Sequence, residues 1–218
     1  LFQPTDRYSL LYRYQPLELR LGDFGYTLSP LLAMEQPGRG AQADPGAISQ
    51  TPLRRTDAAS ILVALAAFSV YANTLFNGFV HDDRFQVVAN PWLRSSGNVG
   101  TVFTTGVWQF QGSESNYYRP VMHLLYMLIF ALFGLHAWAY HLLNISLHVL
   151  ASVLVVFIVR RLIDADVNDA AWWCAPATIA GLLFAMHPIH TEVVAWIAAI
   201  PELTFTVCLL ASFLFYLR

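Results

Sequence analysis

The stretch from Gly78 to Arg84, Gly-Phe-Val-His-Asp-Asp-Arg, sets Asp82 and Asp83 side by side, just after a run from Ile61 to Val80 that holds no charge. Adjacent carboxylates repel, so one of them keeps its proton to a higher pH and can serve as the base for a hydroxyl group. The plain alternative is an ordinary pair at a membrane surface, solvated by water. Arg84, Arg94 and Arg119 lie on the same stretch of chain. Guanidinium groups bind phosphate oxygens in pairs, so a phosphate-bearing ligand would suit them.

A second polar cluster lies further on, in Met186-His-Pro-Ile-His-Thr-Glu192. His187, His190 and Glu192 offer a His-x-x-His pair and a carboxylate, which is one way to hold a metal. The order is not that of a zinc protease, and Pro188 prevents a regular helix between the histidines. A water-exposed helix end is a second reading, and a polar lip facing a phosphate or an acceptor is a third. Tyr117, Tyr118, Arg119 and His123 crowd the start of another apolar segment, where Pro120 suits a first helical turn. Tyrosine at an interface is usually an anchor, so Arg119 is the more telling residue.

The elements that must position these groups are membrane helices. Of 218 residues, 56% are hydrophobic and 12% charged, against roughly 25% charged in a soluble domain. The net charge of −2 gives no footing for nucleic acid. Residues 1–56 differ from the rest and read as a disordered tail, with a linker from Pro37 to Arg55. No signal-peptide pattern stands there; Met34 is a candidate start, and more protein is expected after Arg218. Cys174 and Cys208 read as small apolar residues, and the stretch from Asp164 to Asp169 as a solvated loop.

Hydropathy proposes five apolar segments: Ile61 to Val80, Val121 to Leu135, Leu142 to Val159, Ala170 to Met186 and Leu203 to Leu217. Five crossings would put Arg160, Arg161 and Arg218 on the side opposite Arg54 and Arg55, against the preference of arginine for the cytoplasmic face. Val121 to Leu135 is short of the roughly 20 residues a spanning helix needs. It is also broken by Gly134 and flanked by His136, Trp138 and His141. If it lies in the interface instead, four spans remain and all these arginines fall inside. The outer loop 80–140 and the stretch from His187 to Glu192 then share the outer face. The sequon at Asn144 falls within a span and is discarded.

The segments from Asn73 to Arg94, Tyr117 to Val121, Ala139 to Leu162 and Phe184 to Ile197 together resemble the transmembrane and tetratricopeptide-repeat protein O-mannosyltransferases and their bacterial relatives. Phe-Val-His-Asp-Asp, Tyr-Arg-Pro and His-Pro-Ile-His-Thr-Glu carry the likeness in order and spacing. The resemblance implies residues 57–218 to be the N-terminal part of a C-type glycosyltransferase fold, an all-α multi-span domain with about four transmembrane helices plus interfacial helices. It implies transfer of a mannose-like sugar from a polyprenyl or dolichyl phosphate donor to Ser or Thr hydroxyls of an acceptor protein, with inversion. Asp82 or Asp83 would be the general base. Arg119, His187 and His190 would hold the donor phosphate, and Glu192 and Tyr118 would shape the site. No cofactor is assigned, and a divalent metal is left open.

The expected location is the endoplasmic reticulum membrane in a eukaryote, or the inner membrane in a bacterium. One departure stands out: relatives carry a Gly-Arg pair where Ile200-Pro201 precedes Glu202 and Leu203 here. An inactive scaffold of the same fold is therefore the alternative, and this stretch alone is expected not to close an active site. A transporter would need polar residues in mid-membrane, of which His148 is the main example.

Overall fold

The computed structural model describes residues 53–113, 115–163 and 175–217. Residues 1–52 of the expected tail with Met34, the loop from Asp164 to Asp169, Cys174 and Arg218 lie outside the described residues. No strand occurs among those described. The protein is all-α, and the described residues form seven α-helices joined by short 3-10 and π-helical turns: α1 (Leu53–Tyr71), α2 (Val99–Val102), α3 (Pro120–Phe133), α4 (Ala137–Ile163), α5 (Pro176–Met186), α6 (Thr191–Ala195) and α7 (Ile200–Tyr216). The helix α1 starts at Leu53, so the end of the stretch expected as linker is already helical. From Leu53 to Asn77 the chain contains neither proline nor glycine to stop it.

Among the described residues, three stretches are long and apolar enough to cross a bilayer: Ala58–Phe76, Ala137–Ile163 and Ile197–Tyr216. A fourth is broken. Pro176–Met186 and Pro188–Ala195 pass the same test only as a pair, bent by 42°. The bend has a local cause, because a residue before proline is pushed out of the helical region, and His187 is extended at φ −68°, ψ 127°. The helix α3 has 14 residues, about 21 Å of rise against a hydrocarbon core of about 30 Å. It ends at Gly134, whose φ of 65° and ψ of −146° suit glycine alone. That glycine turns the chain directly into α4.

The long helix α4 is central, with α1, α5 and α7 packed against it. Small residues let these helices approach, as bundles in lipid require. Gly181 of α5 faces Val156 of α4 and Val63 of α1, and a Cβ there would sit 2.5 Å from a Val156 methyl. The outward faces of α1 and α7 carry exposed Ile61, Leu65, Phe205 and Leu209, as lipid contact requires. A separate core seats the outer loop on α3, with Val87, Leu93, Val102 and Val107 against Met122 and Tyr126.

Candidate active site

The site begins with the turn at His81 to Asp83. His81 has a φ of 43°, in the left-handed region that few non-glycine residues adopt. This turn sends the two aspartates in different directions. Asp83 is fully buried. Its Oδ2 accepts from the Val80 amide at 3.1 Å and its Oδ1 from the Ala198 amide at 2.9 Å. Burial pushes the Asp83 carboxyl above its usual pKa; the two amide hydrogen bonds pull back, and the charge of Asp82 adds a smaller push upward. Asp82 is partly exposed and lines two cavities.

The first cavity, about 350 Å³, is bounded by Asp82, Gln86, Trp108, Tyr117, Arg119, Trp196 and Glu202. The second, about 610 Å³, is bounded by Asn77, Val80, His81, Asp82, Glu192, Ala195 and Trp196. Asp82 and Trp196 form the wall common to both. Arg119 precedes α3; its Nη2 lies 3.4 Å from Glu202 Oε1 and its guanidinium 5.6 Å from the Tyr117 ring centre. Glu202 stands in the first turn of α7, where the helix dipole favours a carboxylate.

The wall that carries Trp196 is a break in helical structure between α6 and α7, and side chains from three elements satisfy its backbone. Asn144 of α4 donates to the carbonyls of Val194 (3.3 Å) and Trp196 (2.7 Å). Tyr126 of α3 donates to the Ile197 carbonyl at 3.1 Å, and Asp83 holds the Ala198 amide. Irregular backbone at membrane depth is tolerated only where protein satisfies it in this way. These bonds tie the turn at Asp83 and the helices α3 and α4 to the stretch after His187. Asn144 is buried with its amide engaged, so it is no glycan acceptor.

Other residues singled out in the sequence lie elsewhere. Arg84 donates to the Phe79 carbonyl at 3.3 Å and Arg94 to the Val88 carbonyl at 3.4 Å. Tyr118 braces the loop by donating to the Phe103 carbonyl at 2.9 Å. His187 and His190 line neither cavity that contains Asp82. Nδ1 of His187 accepts from the Ile189 amide, and the His187 carbonyl accepts from the Tyr71 hydroxyl. The His190 ring packs 4.5 Å from Phe184 and 5.2 Å from His148, which is itself bonded to the Ala185 carbonyl. Among the described residues, no three His, Cys, Asp or Glu side chains converge as a metal-ligand set. Gln86, Trp108 and Trp196 were not singled out in the sequence, although the nearness of Gln86 to the aspartates was a signal available there.

A bundle with helices long enough to span a bilayer defines a multi-span membrane protein, and here a carboxylate stands between two cavities. Comparison with known proteins names the lineage. The chain is 41% identical over 162 residues to Protein O-mannosyl-transferase Tmtc2 of Drosophila melanogaster, covering 70% of this chain and 16% of that protein. It is 35% identical over 160 residues to Protein O-mannosyl-transferase TMTC3 of Homo sapiens (72% and 16%). Against Protein O-mannosyl-transferase Tmtc1 of Drosophila melanogaster it is 34% identical over 156 residues (70% and 17%). No family model matches the chain, and no solved structure does. The chain belongs to the TMTC protein O-mannosyl-transferase family, and it spans about a sixth of the length of these relatives.

Proposed function

We propose that this region forms the outer-face catalytic part of a membrane glycosyltransferase that moves a mannose-like sugar from a polyprenyl or dolichyl phosphate to Ser or Thr hydroxyls of a protein. Asp82 takes the proton of the acceptor hydroxyl. The hydroxyl oxygen bonds to the anomeric carbon as the bond from that carbon to the phosphate oxygen breaks. The polyprenyl phosphate leaves with the electron pair, its charge met by Arg119, and the configuration inverts. Asp83 does not touch the reacting atoms; it positions Asp82 by clamping the turn to Ala198. The outer face is the endoplasmic reticulum lumen in a eukaryotic source and the external side of the inner membrane in a bacterial one.

The observation that supports this reading is the place of Asp82 in the wall common to both cavities, one of which also holds Arg119. A base at such a junction meets a donor from one side and an acceptor from the other. The test uses the full-length parent in membranes, labelled mannosyl phosphate polyprenols and Ser/Thr peptides. Asp82→Asn should lower transfer about a hundredfold or more, the usual worth of a general base. Undiminished transfer by that variant would remove Asp82 from the chemistry. The engagement of Arg119 by Glu202 favours the scaffold alternative, and a parent inactive with its native acceptor present would establish it.

A further inference from the structure

We propose that the smaller cavity is a hexose subsite in which Gln86 and Trp196 read hydroxyl groups of the sugar ring. The proposal rests on the glycosyltransferase reading and goes further, naming the groups that recognise the sugar. Gln86 is only 4% exposed, yet its side-chain Oε1 has no hydrogen-bond partner among the described residues. Trp196 Nε1 is likewise buried and unpartnered. Both residues line the cavity. Buried polar atoms are nearly always paired, so two exceptions at one cavity mark a place that a ligand completes.

Their backbones, by contrast, are fully committed. The Gln86 carbonyl accepts from Asn90 Nδ2 at 3.1 Å, and Asn90 Oδ1 caps the next turn by accepting from the Trp92 amide at 3.0 Å. The Trp196 carbonyl is held by Asn144. Gln86 itself sits within a π-helical turn, Arg84–Val88, a form that often occurs at functional sites. The two residues are therefore anchored through their carbonyls, while Gln86 Oε1 and Trp196 Nε1 remain unpartnered.

The chemistry of these groups selects the ligand. An unpartnered acceptor and an unpartnered donor suit hydroxyls, which both donate and accept. A phosphate has no proton for Gln86 Oε1 and would be repelled by it. Trp108, Tyr117 and Trp196 supply aromatic walls for the C–H face of a pyranose, and about 350 Å³ is near the small end of ligand pockets. Asp82 and Arg119 also line this cavity, so a ring held here shares its space with the proposed base and the guanidinium that meets the phosphate.

The experiment uses the full-length parent in nanodiscs with short-chain polyprenyl donors carrying mannose or mannose lacking one ring hydroxyl. Donor binding is measured in an Asp82→Asn background, which prevents turnover, and kcat/KM in the otherwise unchanged enzyme. Gln86→Leu and Trp196→Phe should each weaken binding of the mannosyl donor about 10–100-fold. Each should also abolish the penalty that the parent pays for one particular missing hydroxyl. Size-exclusion behaviour checks the fold, and Trp196→Phe, which removes the indole N–H while keeping an aromatic ring, carries the test if Gln86→Leu is damaged. Variants that weaken all donors alike and keep every deoxy penalty would overturn the proposal, as would a parent that binds no donor. If the hydroxyl pattern appears while Asp82→Asn still transfers sugar, the subsite stands and the base assignment falls.

Discussion

The adjacent aspartates should separate cleanly under the same substitution. Asparagine at position 83 keeps one acceptor oxygen and turns the other into an NH2 donor. Either the Val80 or the Ala198 amide, now bonded to Asp83 at 3.1 and 2.9 Å, then faces another donor. A lost hydrogen bond to a charged group costs roughly 1.5–3 kcal/mol, and this includes most of the penalty for the stranded amide. Removing a buried charge offsets part of that, since burial already raises the Asp83 carboxyl. The net expectation is about 1–3 kcal/mol. At 1.4 kcal/mol per factor of ten, hydrogen-exchange protection of the Ala198 and Val80 amides should fall about 5–150-fold. Asp82→Asn should leave that protection within about 0.5 kcal/mol while lowering transfer a hundredfold or more. Equal protection of both amides in parent and Asp83→Asn would refute the clamp. Equal loss in both variants would refute the division of roles.

The sign of the pH dependence follows from the raised carboxyl of Asp83. Its contribution to stability is complete below the ordinary aspartate value of about 3.9 and is lost as pH rises through the folded value, so melting should drop across that window in the parent but not in Asp83→Asn. Glu202→Gln frees Arg119 from a partly exposed pair and should lower the donor KM about 1.4–5-fold, the scale of about 0.2–1 kcal/mol for such pairs. A rise in KM would show the pair to be needed intact. Gly181→Ala drives a Cβ against Val156 and Val63 and should cost about 1–3 kcal/mol in thermal unfolding, without changing the donor KM of the folded fraction. Asn144→Leu leaves the Val194 and Trp196 carbonyls without their donor. It should cost about 1–3 kcal/mol and loosen the wall between the cavities, seen as faster exchange at Ala198.

The spans were legible because hydrophobic runs and arginine placement are local properties, read without knowing any contact. The short segment ending at Gly134 and the break at Pro188 were legible for the same reason. The division between Asp82 and Asp83 was not, because what buries Asp83 is an amide 115 positions away. His187 and His190 invite a phosphate reading by type and motif. Yet Phe184 and His148, which take up the His190 ring, come from helices whose packing no motif records. Gln86 was passed over because a single amide in a loop is unremarkable until burial strips it of partners.

The clamp between Asp83 and Ala198 also orders the birth of the protein. The ribosome makes Asp83 115 residues before its partner, an interval of roughly 6–23 s at about 5–20 residues per second. Until Ala198 has been made, the Asp83 carboxylate lacks one of its two amide partners. The wall holding Trp196 arrives only when the bent fourth segment is delivered. Neither cavity is complete before then, because Trp196 lines both.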